Sequence, residues 1–126
     1  MPITTRRRDS EDLTEHVVTG LVTDGDMIAC ERAFYEGDPT RLQLWDMTDA
    51  DLTEISNEGL QEFVGQAARL GQARENGRTA VIVQTDLQYG LGRMAEAFGE
   101  IESLPFALSL FHDRSEAIAW LKEHTV

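Results

Sequence analysis

The chain is predicted to fold as an α/β domain, with a mixed five-stranded sheet and four covering helices. Three observations carry this. Residues 79–84, Thr-Ala-Val-Ile-Val-Gln, form an apolar run of strand length, and the 87–101 segment behind them repeats its apolar residues at helical spacing. Residues 106–111, Phe-Ala-Leu-Ser-Leu-Phe, are a second such run, followed by a helical pattern over 113–123. Near the N-terminus, two strand patterns flank a short polar turn, which favours an antiparallel hairpin. Alternation of strand and helix implies parallel strands joined by helical crossovers. Both 79–84 and 106–111 are expected off the exposed edges of the sheet. A length of 126 residues provides one domain, 1–126, with a proper core, and is too short for two.

Taken in order, residues 3–8 alternate weakly and suit an edge strand, and Asp9-Ser-Glu-Asp12 is the turn. Residues 16–22 form the second strand, with Val17, Val18, Leu21 and Val22 apolar. Thr23 and Asp26 then make a capping box, the hydroxyl capping the helix and the acid reaching back. Met27, Cys30, Ala33 and Phe34 share one face of that helix, which Gly37, in a left-handed conformation, and Asp38-Pro39 end. The third strand is 41–46, carrying Leu42, Leu44 and Trp45, and an acidic connection over 46–54 follows. The next helix has the clearest stripe: Leu60, Phe63, Val64, Ala67 and Gly71. Asn76-Gly77 turns the chain into the fourth strand. The helix behind it packs through Leu87, Leu91, Met94, Ala95 and Phe98, and Leu104-Pro105 stops it. In the last helix, Asp113 and Glu116 form a further capping box, and Ala117, Ile118, Trp120 and Leu121 face inward. Phe63, Val81, Val83, Phe98, Leu110 and Trp120 are the expected core.

Charge and composition exclude several functions. With 23 acids against 11 bases, the formal net charge is −12, and Arg6-Arg7-Arg8 is the single basic run. A nucleic acid or an anionic membrane surface is repelled by that field. No apolar run approaches the roughly 20 residues of a membrane span, and the N-terminal Met-Pro-Ile-Thr-Thr-Arg lacks the apolar stretch of a secretory signal. Cys30 is the only cysteine, so an internal disulfide or a thiolate zinc cluster is excluded. A cytoplasmic protein is expected.

Candidate chemistry is sparse. Asp46, Asp49, Asp51 and Glu54 are oxygen ligands in principle, but their spacing fits no EF-hand loop, and a solvated acidic loop is the expectation. A phospho-accepting receiver would require a lysine at the end of the last strand, where this chain has Phe111-His112. Gly90-Leu-Gly92 is half of a dinucleotide fingerprint set inside a helical pattern, where close packing explains it. His16, His112 and His124 lie on different elements, without ligand spacing to one another, and Cys30 sits on an apolar stripe as an inert thiol. Neither a metal nor a cofactor is expected, and no nucleophile–base constellation marks an enzyme. Ser56-Asn-Glu-Gly-Leu60 opens a helix, where the dipole favours anions and a serine serves as N-cap.

Several short motifs resemble a known family. Tyr89-Gly-Leu-Gly-Arg-Met94 with Ala97-Phe98, the ending Phe111-His-Asp-Arg-Ser-Glu-Ala-Ile-Ala-Trp-Leu121, and Thr19-Gly-Leu-Val-Thr23 before the first helix look like the STAS domain, and within it a SpoIIAA-like group of small stand-alone bacterial proteins. STAS domains include bacterial anti-sigma-factor antagonists. The resemblance implies that the antagonists' phosphoserine motif, Asp-Ser-Ser-Gly-Leu, corresponds to Ser56-Asn-Glu-Gly-Leu60. Gly59 and Leu60 match it. Asn57 stands at the phosphoacceptor position and Glu58 at the second serine, so a phosphorylation switch there is not expected, and Ser56 lies one place away.

The expected function is a non-catalytic interaction or regulatory module, meeting a protein partner or a second copy of itself through Ser56, Asn57, Glu58, Gly59 and Leu60. The alternative is a binder of a small apolar molecule or lipid beside the sheet, as in the lipid carriers of the related STAS/Sec14 group, with Met27, Met47 and Met94 as adaptable lining. A closed apolar cavity, as against a flat exposed patch, distinguishes the two.

Overall fold

The computed structural model describes residues 2–123. Five strands form one sheet: β1 (Ile3–Arg8), β2 (Leu13–Leu21), β3 (Leu42–Asp51), β4 (Arg78–Ile82) and β5 (Ala107–Phe111). Four helices accompany them: α1 (Asp24–Glu36), α2 (Asn57–Leu70), α3 (Asp86–Glu102) and α4 (Arg114–Leu121). The spatial order is β1-β2-β3-β4-β5, with β1 antiparallel to β2 and every other pair parallel. Fold class and element order are those predicted. One expectation fails: β5 is the second edge of the sheet, and its residues are half-buried or exposed.

The hairpin closes through Asp9–Glu11 and Asp12, whose φ of 51° lets the chain reverse. Strand β2 begins three residues before the predicted start because Leu13, Thr14 and Glu15 are buried in register with Leu42, Gln43 and Leu44. Strand β3 continues through the acidic stretch that composition assigns to a loop. Its tail, Asp49 to Asp51, pairs with Thr19 to Leu21 past a register shift in β2. Thr23 and Asp26 form the predicted capping box, and Thr85 with Gln88 forms a second. Two termini depart from prediction. Gly37 ends α1 at φ −79°, and Asp113 accepts from Ser115 N at 2.7 Å in place of a box with Glu116.

Period-two alternation assigns the two faces of the sheet. Leu13, Leu42, Leu44, Ala80 and Ile82 meet Ala117 and Leu121 of α4. Val18, Val22, Trp45, Met47 and Leu52 face the opposite way, with Met27, Phe63 and Leu91 half-buried against them. One helix thus covers one face and three cover the other. Of the six residues expected at the centre of the core, only Val83 is fully buried; Phe63, Val81, Phe98, Leu110 and Trp120 are half-buried. For Phe63, Val81 and Leu110 the cause is open space on the three-helix face, which all three line. Trp120 sits at the rim of the α4 face, where the Arg78 guanidinium stacks 4.9 Å from its ring centre.

Candidate functional site

Ser56 has the geometry of a structural cap. Its Oγ accepts from Gly59 N at 2.9 Å and donates to Asp24 Oδ2 at 2.6 Å, while its backbone N–H donates to Asp24 Oδ1 at 3.0 Å. Asp24 thereby ties the start of α1 to the start of α2. Gly59 is required there, because a Cβ would lie 2.0 Å from Asp24 Cγ. A phosphate on Ser56 would face that carboxylate, a like charge at contact distance. Asn57 and Glu58 are exposed, Gly59 is buried, and Leu60 turns inward.

Leu60 turns toward a cavity of about 100 Å³ between α2, α3 and the sheet. Trp45, Met47, Phe63, Val81, Leu91 and Leu110 are among the apolar side chains of its wall, and Gly59 and Asp24 reach it from the capped α2 terminus. It is partly open to solvent. Of the three methionines expected to line a pocket, Met27 and Met47 do so. On the α3 side the lining is Gln88, Leu91 and the small residues Gly92 and Ala95. Gly92 allows close approach to β5, since a Cβ would lie 2.8 Å from a Leu110 methyl. Gln88 fixes the other end of α3: its Nε2 donates to Met47 O at 2.7 Å and Ala50 O at 3.1 Å, and its Oε1 accepts from Gln84 N at 2.7 Å. These bonds anchor α3 to the long tail of β3.

Beside the N-terminal half of the strands, the same face is polar and still buried. Arg74 is 1% exposed, and no carboxylate among the described residues lies within ion-pair distance of it. Its guanidinium donates to Thr40 O, Arg41 O and Arg78 O, each at 2.9 Å. It also donates to Thr79 Oγ1 at 2.9 Å, Gln43 Oε1 at 3.3 Å and Tyr35 Oη at 3.4 Å. The rings of Phe106 and Phe34 lie 4.4 and 5.4 Å from it. Such packing with full donor satisfaction offsets the desolvation of the cation.

The network fixes the state of its neighbours. Gln43 Oε1 accepts from Arg74 and from Thr79 Oγ1, so its amide nitrogen faces His16 Nε2 at 3.0 Å. His16 Nε2 is therefore the acceptor, and Nδ1–H donates to Thr5 Oγ1 at 2.9 Å. Burial, with Arg74 adding to it, pushes the His16 pKa down to about 4. On α1, burial pushes the Glu31 carboxyl up to about 8, against the hydrogen bond from Gln66 and the field of Arg74 and Arg69. Burial likewise raises the Tyr35 hydroxyl to about 12. Gln66 Nε2 donates to Glu31 Oε1 at 2.9 Å and to Ile28 O at 3.0 Å, and Gln66 Oε1 accepts from Arg32 Nε at 3.2 Å. The predicted inward face of α1 is therefore displaced: Glu31 and Tyr35 are its buried residues, Met27, Cys30 and Phe34 are half-buried, and Ala33 is exposed. Sequence reasoning missed Glu31, Gln66 and Arg74. The available signal was position, since Glu31 lies four residues from both Met27 and Tyr35 on one helical stripe.

The remaining candidates are not brought together into a site. Asp46 Oδ1 accepts from Thr48 N at 3.0 Å, and Asp51 Oδ1 accepts from Thr53 N at 3.0 Å and Thr53 Oγ1 at 2.6 Å, each a local turn within or after β3. Among the described residues no group of three or more His, Cys, Asp or Glu side chains converges as metal ligands would. The fold does pair two residues that sequence spacing separates: Cys30 Sγ lies 3.5 Å from His16 Nδ1. Burial raises the Cys30 pKa. The His16 nitrogen facing the sulfur already carries a proton, so it cannot take one from the thiol. His112 Nδ1 lies 2.9 Å from Val83 O, and His124 lies outside the described residues. No helix among the described residues is long and apolar enough to cross a membrane.

No family model matches this sequence, and no curated protein does. A solved structure does resemble it: an uncharacterized protein of the DUF3478 family from Shewanella loihica PV-4, described as having a SpoIIAA-like fold. The likeness has a TM-score of 0.61 at 22% identity and covers 94% of this chain and 91% of that one. The chain described here therefore has a SpoIIAA-like fold, as its sequence motifs lead one to expect.

Proposed function

We propose that this domain is a cytoplasmic, non-catalytic binding module that holds a small apolar molecule between α2, α3 and the sheet. The observation that carries the reading is the cavity: about 100 Å³, walled mostly by apolar side chains and partly open, beneath a helix that places the small residues Gly92 and Ala95 on its wall. Binding sites for small molecules are concave and mostly apolar, with few polar groups. The protonation state of His16 also supports binding over catalysis, because it removes the one nearby base for Cys30. The test is titration of isotopically labelled protein with methylenecyclohexane, followed by amide and methyl NMR. Shifts confined to the cavity wall, abolished by Ala95→Leu, are the expected result. Absence of shifts, or shifts scattered over the surface, would overturn the reading.

A protein partner is a second reading, favoured by one feature of the geometry. The exposed Asn57 and Glu58 share the first turn of α2 with Gly59 and Leu60, which line the cavity. A partner on the α2 terminus would thus touch the same helix turn as the ligand, and would do so constitutively, since Ser56 is committed to Asp24.

A further inference from the structure

One carboxyl on the cavity lining keeps an oxygen without a partner among the described residues. Glu31 lines the cavity and is 3% exposed. Its Oε1 accepts from Gln66 Nε2, and among the described residues its Oε2 has no hydrogen-bond partner. No fully enclosed polar side-chain atom among the described residues is left unsatisfied, so Oε2 is not sealed into the packing, and the cavity is the space that Glu31 lines. With Oε1 committed to accepting a proton, the carboxyl hydrogen resides on Oε2. On a mostly apolar wall, where Asp24, Thr79 and Gln88 are engaged by protein partners, the Oε2 hydroxyl of Glu31 is a donor without an acceptor, and a buried donor without an acceptor is costly.

We propose that the cavity takes a small neutral molecule bearing one carbonyl-type oxygen, and that the Glu31 Oε2 hydroxyl donates a hydrogen bond to that oxygen while the apolar body lies against Trp45, Val81 and Leu110. This rests on the ligand-binding reading above and adds the ligand's chemical class. The surroundings favour an acceptor over a cation. Arg74 and Arg69 are the cations that act on Glu31, and Gln66 already donates to it. Tyr35 and Cys30, on the same helix, are held protonated by burial. Beside Glu31 an ammonium group would meet the field of two guanidiniums, whereas a carbonyl oxygen is attracted by it; the one carboxylate that faces Glu31 across the same lining, Asp24, has both oxygens engaged by Ser56. Arg74 itself is unavailable to the ligand, since its donors are all engaged. The volume is of the order that takes roughly one six-membered ring, somewhat below an engineered cavity known to hold benzene.

The experiment compares cyclohexanone with methylenecyclohexane, a matched pair in which CH₂ replaces the oxygen, by NMR titration of the intact chain. Three proteins are used: wild type, Glu31→Gln and Glu31→Leu. The expected result is that Glu31→Leu weakens cyclohexanone by about tenfold, the loss of one buried hydrogen bond, and leaves methylenecyclohexane within about twofold. Glu31→Gln keeps an N–H donor at the same place and should retain cyclohexanone. Wild-type affinity for the ketone should fall as pH rises past about 8, where the carboxyl loses its proton, and Glu31→Gln should not show that fall. If both probes bind and Glu31→Leu affects them equally, the carbonyl assignment is wrong while the cavity remains a ligand site. If neither probe binds wild type, both the assignment and the ligand-binding reading fail.

Discussion

Two buried groups titrate in opposite directions, and together they shape the stability of this fold against pH. Glu31 is held protonated up to about pH 8, whereas in the unfolded chain it ionises near its ordinary 4.5. Between those values the folded state binds a proton that the unfolded state has released, so stability falls as pH rises, by about 1.4 kcal/mol per pH unit. His16 is held neutral down to about pH 4, whereas unfolded it protonates near 6.5. There the unfolded state binds the extra proton, and stability falls as pH drops from 6.5 toward 4 with the same slope. From 4.5 to 6.5 the two slopes cancel. Above 6.5 only Glu31 acts, and wild type should lose about 2 kcal/mol between pH 6.5 and 8, then level off.

Urea melts at half-unit intervals from pH 5 to 9 measure this directly. Glu31→Gln keeps the acceptor for Gln66 and has nothing to titrate, so its curve should stay flat from pH 6.5 to 9, where wild type declines. The Cys30 thiol is raised by burial and Tyr35 titrates near 12, so neither produces the decline. A wild-type curve flat across 6.5–8.5, or an equal decline in the Gln variant, would refute the assignment of a buried neutral carboxyl at position 31.

Three other perturbations separate structural roles. Arg74→Met should cost about 3 kcal/mol or more in urea melts, because it strands Thr40 O and Tyr35 Oη among buried groups. Ser56→Ala should cost about 1 kcal/mol through the lost cap, and mass spectrometry of protein from its native cells should find no phosphate on Ser56; stoichiometric phosphate there would refute the capping assignment. Phe98→Ala and Trp120→Ala should each cost about 2 kcal/mol, below the roughly 3–5 of a fully buried aromatic, since both rings are half-buried; losses at the upper figure would mean the space around them is closed in solution.

Much of the fold was legible because it depends on periodicity. The runs 79–84 and 106–111 are strands to within a residue or two, and their order with α3 and α4 fixed parallel pairing. The misreadings share a cause: each took composition for position. Acidic residues 46–51 suggested a loop, yet β3 runs through them because alternate side chains leave one face for Trp45 and Met47. Apolar Phe106-Ala-Leu-Ser-Leu-Phe111 suggested an interior strand, yet it forms an edge that is covered on one side by α4 and faces the cavity on the other.

The candidate site was less legible, because charge is ordinarily evidence of exposure. Glu31, Gln66 and Arg74 are buried only because the fold supplies partners that lie 31 to 39 residues apart in sequence, such as Gln66 for Glu31 and Tyr35 for Arg74. No local pattern encodes such pairings. Their arrangement nevertheless has a physical logic. The polar groups converge on Gln43 and Thr79, and from two residues further along each strand, Trp45, Val81, Met47 and Val83 are apolar. At the starts of the strands the backbone carbonyls of Thr40, Arg41 and Arg78 converge as acceptors for the buried guanidinium, Arg41 O accepting from Arg78 N as well. The cation sits at that end, and Glu31, held neutral near it, lines the cavity with one carboxyl oxygen that no side chain among the described residues engages. A cavity built this way orients its occupant: the apolar body lies along the strands, and an acceptor oxygen points toward α1.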